Sequence, residues 1–519
     1  MTGGRRWGDP RARLIPAWLW DDTKVEVLAG LQLPEEPADH LVPLDARLDA
    51  GYRVVAAQLP SHGSLRVDDD GKIHLTALDT LSTPASLAQL RAATAAMFPR
   101  VDLPDVLLEV HAWTGFLDEF THVSETTARI ENFDISIAAV LIAEACNVGI
   151  VPVGHETDPA LTRARLFHVD QNYLRAGTLR AANARLIAAQ ADILLAQRWG
   201  GGLVASADGM RFVVPVASVT TGSNPRYFGR SRGLTWLNYL NDQHAGLGGV
   251  VVPGTIRDSL HILDGLLELD GGQRPEMIAT DTSSYSDQVF ALFTLLGYRF
   301  SPRLADLPDQ RFWRIDPTAN YGPVDPIART NRINTNLIQE HWADLLRLAG
   351  SLATGTVRAS EILRVTQCAG NPTPLGRALA EYGRIAKTLH LLEFIDTDDT
   401  YRRQIQRQLT IQEGRHSLAR RIFHGRRGHL RKSYTTGQED QLGALGLVLN
   451  ATVLWNTVYL DAATRTLDAG DEDLARLSPL GSAHVNMLGR YNFTRHPTSG
   501  TLRPLRNPDQ LADTHPADV

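Results

Sequence analysis

The chain has 519 residues, 43% hydrophobic and 21% charged, which is the make-up of a globular protein of several domains. Its net charge of −6, from 52 basic and 58 acidic side chains, neither requires nor excludes a nucleic-acid partner. Cys146 and Cys368 have no zinc or CxxC spacing, the first residues lack a signal-peptide core, and no apolar run reaches the ~20 residues of a membrane span. A cytoplasmic protein with free thiols is the expectation.

The charge is uneven. Residues 1–130 hold 12 basic and 19 acidic side chains, a net of −7, which leaves 40 and 39, a net of +1, for the remainder. Residues 1–100 have little periodicity. Asp68-Asp69-Asp70-Gly71-Lys72 reads as a turn between short strands, because the other ligands of a calcium loop are missing. From Leu103 the spacing is helical, first through Leu107, Val110, Phe116, Leu117 and Phe120, then through the more buried residues 135–146. His155-Glu156 lacks the second His of a zinc-protease motif and reads as structural. Residues 175–199 read as one amphipathic helix stopped by Gly200-Gly201-Gly202.

At Leu203 the period changes to that of strands. Residues 203–208 and 211–216 read as two strands around Gly209, followed by strands at 235–240 and 249–253. A helix at 258–269 precedes a strand at 276–280 that ends at Asp281. Ser284 and Asp287 read as a capping pair for an apolar helix at 289–296, with further strands at 298–302 and 312–315. Residues 327–409 read as a nearly all-helical insertion, 438–467 as a long apolar helix, and a loop-rich tail starts near Ser478. The whole is an α/β or mixed α+β pattern.

Residues 402–432 contain ten Lys or Arg and one acid, Glu413. A helix starting near Glu413 would put Leu418, Ala419, Ile422 and Phe423 on one face. His416, Ser417, Arg420 and His424 would then lie beside Glu413 on the other. One reading is a solvated basic helix whose Glu pairs with Arg. The other is a metal-holding carboxylate among cations that grip a polyanion. The candidate phosphate contacts are Arg402, Arg403, Arg407, Arg415, His416, Arg420, Arg421, Arg426, Arg427, Arg431 and Lys432.

Two further carboxylates stand at strand positions. Asp208 sits in an Asp-Gly pair that could equally mark a hairpin turn. Asp281 ends a strand before a helix, where α/β folds place site residues and where helix caps also occur. Asp208, Asp281 and Glu413 would repel one another if gathered, so their convergence makes sense only around cations. Such a set can hold two Mg²⁺ ions about 4 Å apart, and its hard oxygen donors suit that metal. No phosphate-binding P-loop, dinucleotide fingerprint or nucleophile elbow is present.

Six segments then occur in one order: Ser206-Ala207-Asp208-Gly209-Met210-Arg211-Phe212, Ala279-Thr280-Asp281-Thr282-Ser283-Ser284-Tyr285-Ser286-Asp287, Gly297-Tyr298-Arg299-Phe300-Ser301-Pro302-Arg303-Leu304-Ala305-Asp306, Arg311-Phe312-Trp313-Arg314-Ile315-Asp316, Glu413-Gly414-Arg415-His416-Ser417-Leu418-Ala419 and Gly437-Gln438-Glu439-Asp440-Gln441-Leu442-Gly443. Together they resemble the transposases of the Tn-three family, which move DNA replicatively through a cointegrate.

The resemblance implies a ribonuclease-H-like core with a DDE triad of Asp208, Asp281 and Glu413, and two Mg²⁺ ions that Mn²⁺ can replace. It also implies cleavage at terminal inverted repeats, strand transfer into target DNA, a homodimer, no membrane, and a cytoplasmic, nucleoid-associated location. The expected segments are 1–100 of unclear role, a helical scaffold or dimerisation region at 101–200, the catalytic domain at 201–470 with its insertion at about 327–410, and a tail at 471–519. Family members are usually much longer, with end-recognising domains upstream, so the expectation is a truncated copy lacking autonomous end recognition. Two alternatives remain open. One is a recombinase using Tyr434 with Arg415 and His416. The other is a non-catalytic DNA-binding or dimerising remnant that interferes with intact transposase.

Overall fold

The computed structural model describes residues 9–507 except 62, 80, 125–129, 217, 219, 255–257, 282–284, 305, 329, 367–371, 433–436, 490 and 494–500. Ser284, Cys368 and Tyr434 thus lie outside the described residues.

Helices α1 (Ala17–Leu31) and α2 (Pro37–Gln58) precede β1 (Leu65–Val67) and β2 (Ile73–Leu75). These strands pair across the expected acid-rich turn, where Gly71 takes a φ of +85°. Next come α3 (Ala85–Met97), β3 (Val101–Asp102), α4 (Leu103–Thr114), α5 (Phe133–Ala145), α6 (Arg163–Asn172), α7 (Ala176–Ala191) and α8 (Leu194–Trp199). The helix expected over 175–199 is therefore two. Ile193 is extended (ψ 127°) and re-aims the chain so that Leu195, Ala196 and Trp199 are buried. An alanine-rich period cannot reveal such a break.

The middle of the chain forms β4 (Val204–Val213), β5 (Gly222–Ser223), α9 (Pro225–Phe228), β6 (Arg232–Asn241), β7 (Gly246–Pro253), α10 (Ile262–Leu266), β8 (Met277–Thr280), α11 (Asp287–Leu295) and β9 (Arg299–Pro302). After these come α12 (Thr335–Glu340), α13 (Trp342–Ala353), α14 (Ala359–Thr366), α15 (Pro374–Phe394), α16 (Thr400–Ile422), α17 (Gln438–Thr464) and β10 (Val485–Asn486).

Three expectations need correction. Within 203–216 there is one strand, β4, not two around Gly209: Asp208 and Gly209 pair with Asn238 and Leu237 in an unbroken antiparallel register. The long partner β6 holds them extended against their local turn preference. Residues 312–315 form no strand, only a bridge between Arg314 and Arg332. The cap of α11 is Ser286, whose side chain accepts from the Val289 amide. Asp287 is the first helical residue, with Arg384 at 3.2 Å and Lys387 at 3.7 Å.

The chain divides into two compact units that interleave in sequence. The first comprises residues 1–80, 258–267 and 276–409. In it β8 and β9 pair in parallel. Helix α15 packs closely on α11, and at Gly383 any side chain would strike the Asp287 backbone. Helices α12–α15 are the helical insertion that the apolar spacing indicates.

The second unit comprises residues 81–257, 268–275 and 410–519. Strand β6 pairs antiparallel with β4, β5 and β7. Helix α17 is long and apolar enough to cross a membrane by length and composition, yet most of it is buried inside the protein. Leu442, Leu445, Val448, Val453 and Trp455 are all within 1% of full burial, in one cluster with residues of α4, α5 and α7.

The C-terminal stretch is fastened to this core. Arg503 is ion-paired with buried Glu109 and, at 3.3 Å, with Asp105, and Trp455 Nε1 donates to Glu109 at 2.8 Å. Arg503→Ala strands that carboxylate, so it should lower stability by about 3–5 kcal/mol. Glu109→Gln combined with Arg503→Met should recover much of the loss, and the denaturation midpoints check both.

Partly buried His484 lies between Phe98 and Trp455, and desolvation there lowers its pKa from 6.5 to about 4. The unfolded chain therefore takes up this proton first. The stability contributed is full above pH 6.5 and is lost as the pH falls to about 4. Acid melts of wild type and His484→Gln should show a shallower decline in the variant over that window.

Candidate active site

Along β4 the side chains alternate, so Ser206, Asp208, Met210 and Phe212 share one face. Met210 and Phe212 enter the apolar core, and the Phe212 ring lies 5.0 Å from that of Phe423. Ser206 and Asp208 reach side chains of α16. The Asp208 carboxylate is 44% exposed; Oδ1 accepts from the Gly209 amide at 2.8 Å. Its other oxygen lies 3.5 Å from His416 Nδ1.

Glu413 does not begin a helix, as the sequence pattern indicates, but sits well inside α16. Leu418, Ala419, Ile422 and Phe423 are buried as expected. Arg415 and His416 are buried as well, at 2% and 5% exposure, which corrects the reading that His416 lies on the solvated face beside Glu413. At 100° per residue, the apolar stripe through 418, 419 and 422 carries 415 with it.

A polar network joins α16 to the sheet. Ser206 Oγ donates to Gln412 Oε1 at 2.7 Å, and Gln412 Nε2 donates to Asn238 Oδ1 at 2.6 Å. Asn238 Nδ2 then faces His416 Nε2 at 2.9 Å. In this arrangement Nε2 accepts and Nδ1 carries the proton directed at Asp208. Burial, aided by Arg420 and Arg415, lowers the His416 pKa to about 4. The histidine is thus neutral near pH 7, and its contact with Asp208 is a hydrogen-bonding approach, not an ion pair. This neutral donor steadies the carboxylate without cancelling its charge.

Sequence reasoning missed Ser206, Asn238 and Gln412. Their one visible signal was polarity inside segments that otherwise read as buried.

Glu413 is exposed, lies one helical turn before His416, and pairs with no cation among the described residues. Asp281 belongs to the other compact unit, follows β8 directly and is 55% exposed, with Arg303 Nε at 4.0 Å. Among the described residues no group of three His, Cys, Asp or Glu side chains is gathered as a metal site.

The basic segment divides into two classes. Arg402, Arg415 and His416 are buried. Lys432 is held by Glu144 at 3.1 Å and Asp170 at 3.6 Å, and Arg403 by Asp399 at 2.7 Å. Burial pushes Arg415 down to about 9. Arg402, Arg415 and His416 are therefore corrected from phosphate contacts to interior groups, and Lys432 and Arg403 to half-buried cations held by carboxylates. Arg407, Arg420, Arg421, Arg426, Arg427 and Arg431 are exposed. Burial of Arg415 and His416 also leaves a tyrosine-recombinase reading without its helpers.

Residues 105–491 match the family model described as the Tn3 transposase DDE domain. The chain is 57% identical over 507 residues to the transposase for transposon Tn4556 of Streptomyces fradiae, covering 97% of this chain and 56% of that relative. It is 48% identical over 502 residues to the transposase for transposon gamma-delta of Escherichia coli, covering 95% and 50%. A third relative, the transposase for transposon Tn1546 of Enterococcus faecium, is 33% identical over 98% of this chain and 51% of its own length. The chain spans about half the length of these relatives. With three quarters of its length inside the family model, it belongs to the Tn3 transposase DDE family.

Proposed function

We propose that this chain is the catalytic part of a DNA transposase that cleaves transposon ends and joins the freed 3′-OH to target DNA. The observation that carries the proposal is the family match over residues 105–491 together with Asp208, held mid-strand by a buried network that also anchors the helix of Glu413. A carboxylate in the middle of a paired strand has no turn or cap to make, so its presence there calls for a chemical reason.

Asp208, Asp281 and Glu413 are assigned as the DDE triad of a ribonuclease-H-like core. Exposed Asp208 and Glu413, in one unit, offer hard oxygen donors suited to Mg²⁺, with Mn²⁺ as substitute. Two such ions, when bound, supply activation of the attacking oxygen and stabilisation of the leaving one. Asp281, which belongs to the other unit, is assigned to the triad by its motif alone. His416 fixes the direction of the Asp208 carboxylate. The exposed arginines Arg407, Arg420, Arg421, Arg426, Arg427 and Arg431 hold DNA phosphates near Glu413, in a homodimer working at the nucleoid on two element ends.

Asp208→Asn, Asp281→Asn and Glu413→Gln should each abolish metal-dependent nicking of pre-cut transposon ends and strand transfer. Melting temperatures without metal should stay unchanged or rise slightly, since each change removes one of three like charges. Normal nicking by any one variant would remove that residue from the triad.

The basic segment offers phosphate contacts, which position a protein without reading sequence. Binding of the isolated chain to the terminal repeat and to scrambled duplex should therefore be similar and should weaken steeply with salt. A titration at two salt concentrations checks this. A preference for the repeat of ~10³-fold or more would show that end recognition resides in these residues.

A further inference from the structure

From Gly209 to Asn241 the chain has four arginines, Arg211, Arg226, Arg230 and Arg232, and no acid. All four side chains are exposed. They cluster around α9 and the start of β6, a turn held firmly from beneath. Phe228 is buried against Gly233 and Gly254, where a Cβ on either glycine would collide with its ring. Asn224 donates to the Gly254 carbonyl at 3.1 Å, and its side chain accepts from the Arg226 amide at 3.2 Å. The turn therefore presents its arginines from a fixed base and orders few groups on binding.

Tyr227 stands among them, 40% exposed. The Arg211 guanidinium lies 3.8 Å from the centre of its ring, and that of Arg226 lies 5.6 Å away. An exposed aromatic ring stacked with a guanidinium, in a stretch of sequence that carries arginines and no acid, has the chemistry that holds an unpaired base beside its phosphates. By the alternation of β4, Arg211 lies on the face opposite Asp208. Arg211 and the Tyr227 ring stacked on it are thus on the other side of the strand from that carboxylate, whereas Arg232, two residues before Leu234, shares the Phe212 face and donates to the Thr221 carbonyl at 3.2 Å.

We propose that Arg211, Arg226, Tyr227 and Arg230 form a binding surface for a single DNA strand, with phosphates on the arginines and an unstacked base on the Tyr227–Arg211 pair. The inference deepens the reading of the chain as a DNA strand transferase, since nicking creates a strand able to leave its duplex. An acidic protein segment is the competing occupant, and it predicts no change in oligonucleotide binding when the surface is altered.

The test uses the full chain in EDTA, so that no cleavage occurs. Labelled oligodeoxythymidylate and a duplex of equal length are titrated at two salt concentrations. Replacing Arg226 and Arg230 together by Ala should weaken single-strand binding and make its salt dependence shallower by about 1.4 in log–log slope, from ~0.7 per phosphate contact. Tyr227→Ala should weaken single-strand binding roughly 5- to 150-fold while affecting duplex little, and Tyr227→Phe should retain it. Circular dichroism melts confirm that these surface variants fold.

Wild-type affinity in the double variant would overturn the proposal, and equal losses on single strand and duplex in Tyr227→Ala would overturn the base-stacking part. Asp208→Asn should bind the strand as wild type does. Normal binding by the surface variants alongside an inactive Asp208→Asn would sink this surface and leave the triad standing. The reverse pair of results would sink the triad alone.

Discussion

A helix that is apolar on every side is satisfied only by burial on every side, and α17 imposes that condition on the second unit. Helices α4, α5 and α7 pack around it, and the later half of α16 joins the same core through Leu418, Ala419, Ile422 and Phe423. Several polar groups along α17 are matched by distant partners. Asn450 holds Asn183 and the backbone of Gly246, and Thr457 accepts from Gln190. Through this core the orientation of α16, and so of Glu413, follows from packing far from any chemistry.

A neutral polar network adds a second tie. Ser206, Gln412, Asn238 and His416 satisfy one another in a buried layer between β4, β6 and α16 and end at Asp208. Buried polar groups that are fully paired specify one geometry, since any slip leaves a donor or acceptor unmet. A one-residue slip of β4 would also turn Asp208 to the opposite face. Sheet register and network therefore enforce the same placement. Keeping His416 neutral through burial preserves the negative charge that a divalent ion needs.

Charge is divided by the same logic of burial. The ten basic residues of 402–432 form one run in sequence, but Arg402 and Arg415 are drawn inside and Lys432 is held by Glu144 and Asp170. The four arginines of 209–241 are sparser in sequence and all reach solvent. Local density of positive charge is a poor guide to what a phosphate can touch.

The sequence by itself determined the mixed α+β class, the turn at Asp68–Lys72, the helical insertion, the buried α5 and α17, and Asp208, Asp281 and Glu413 as residues that merit chemical attention. These features rest on local periods, turn chemistry and motif order, all of which act over a few neighbouring residues. The tertiary structure alone decided that Asp208-Gly209 is strand, because the nine-pair ladder with β6 outweighs the local preference of an Asp-Gly pair. It alone decided that the helix at 175–199 breaks at Ile193, that Ser286 caps α11, and that Arg415 and His416 face inward. The strand and the break depend on partners distant in the chain, which no local period records, and the inward turn of Arg415 and His416 shows only once the apolar stripe of α16 is seen to be buried.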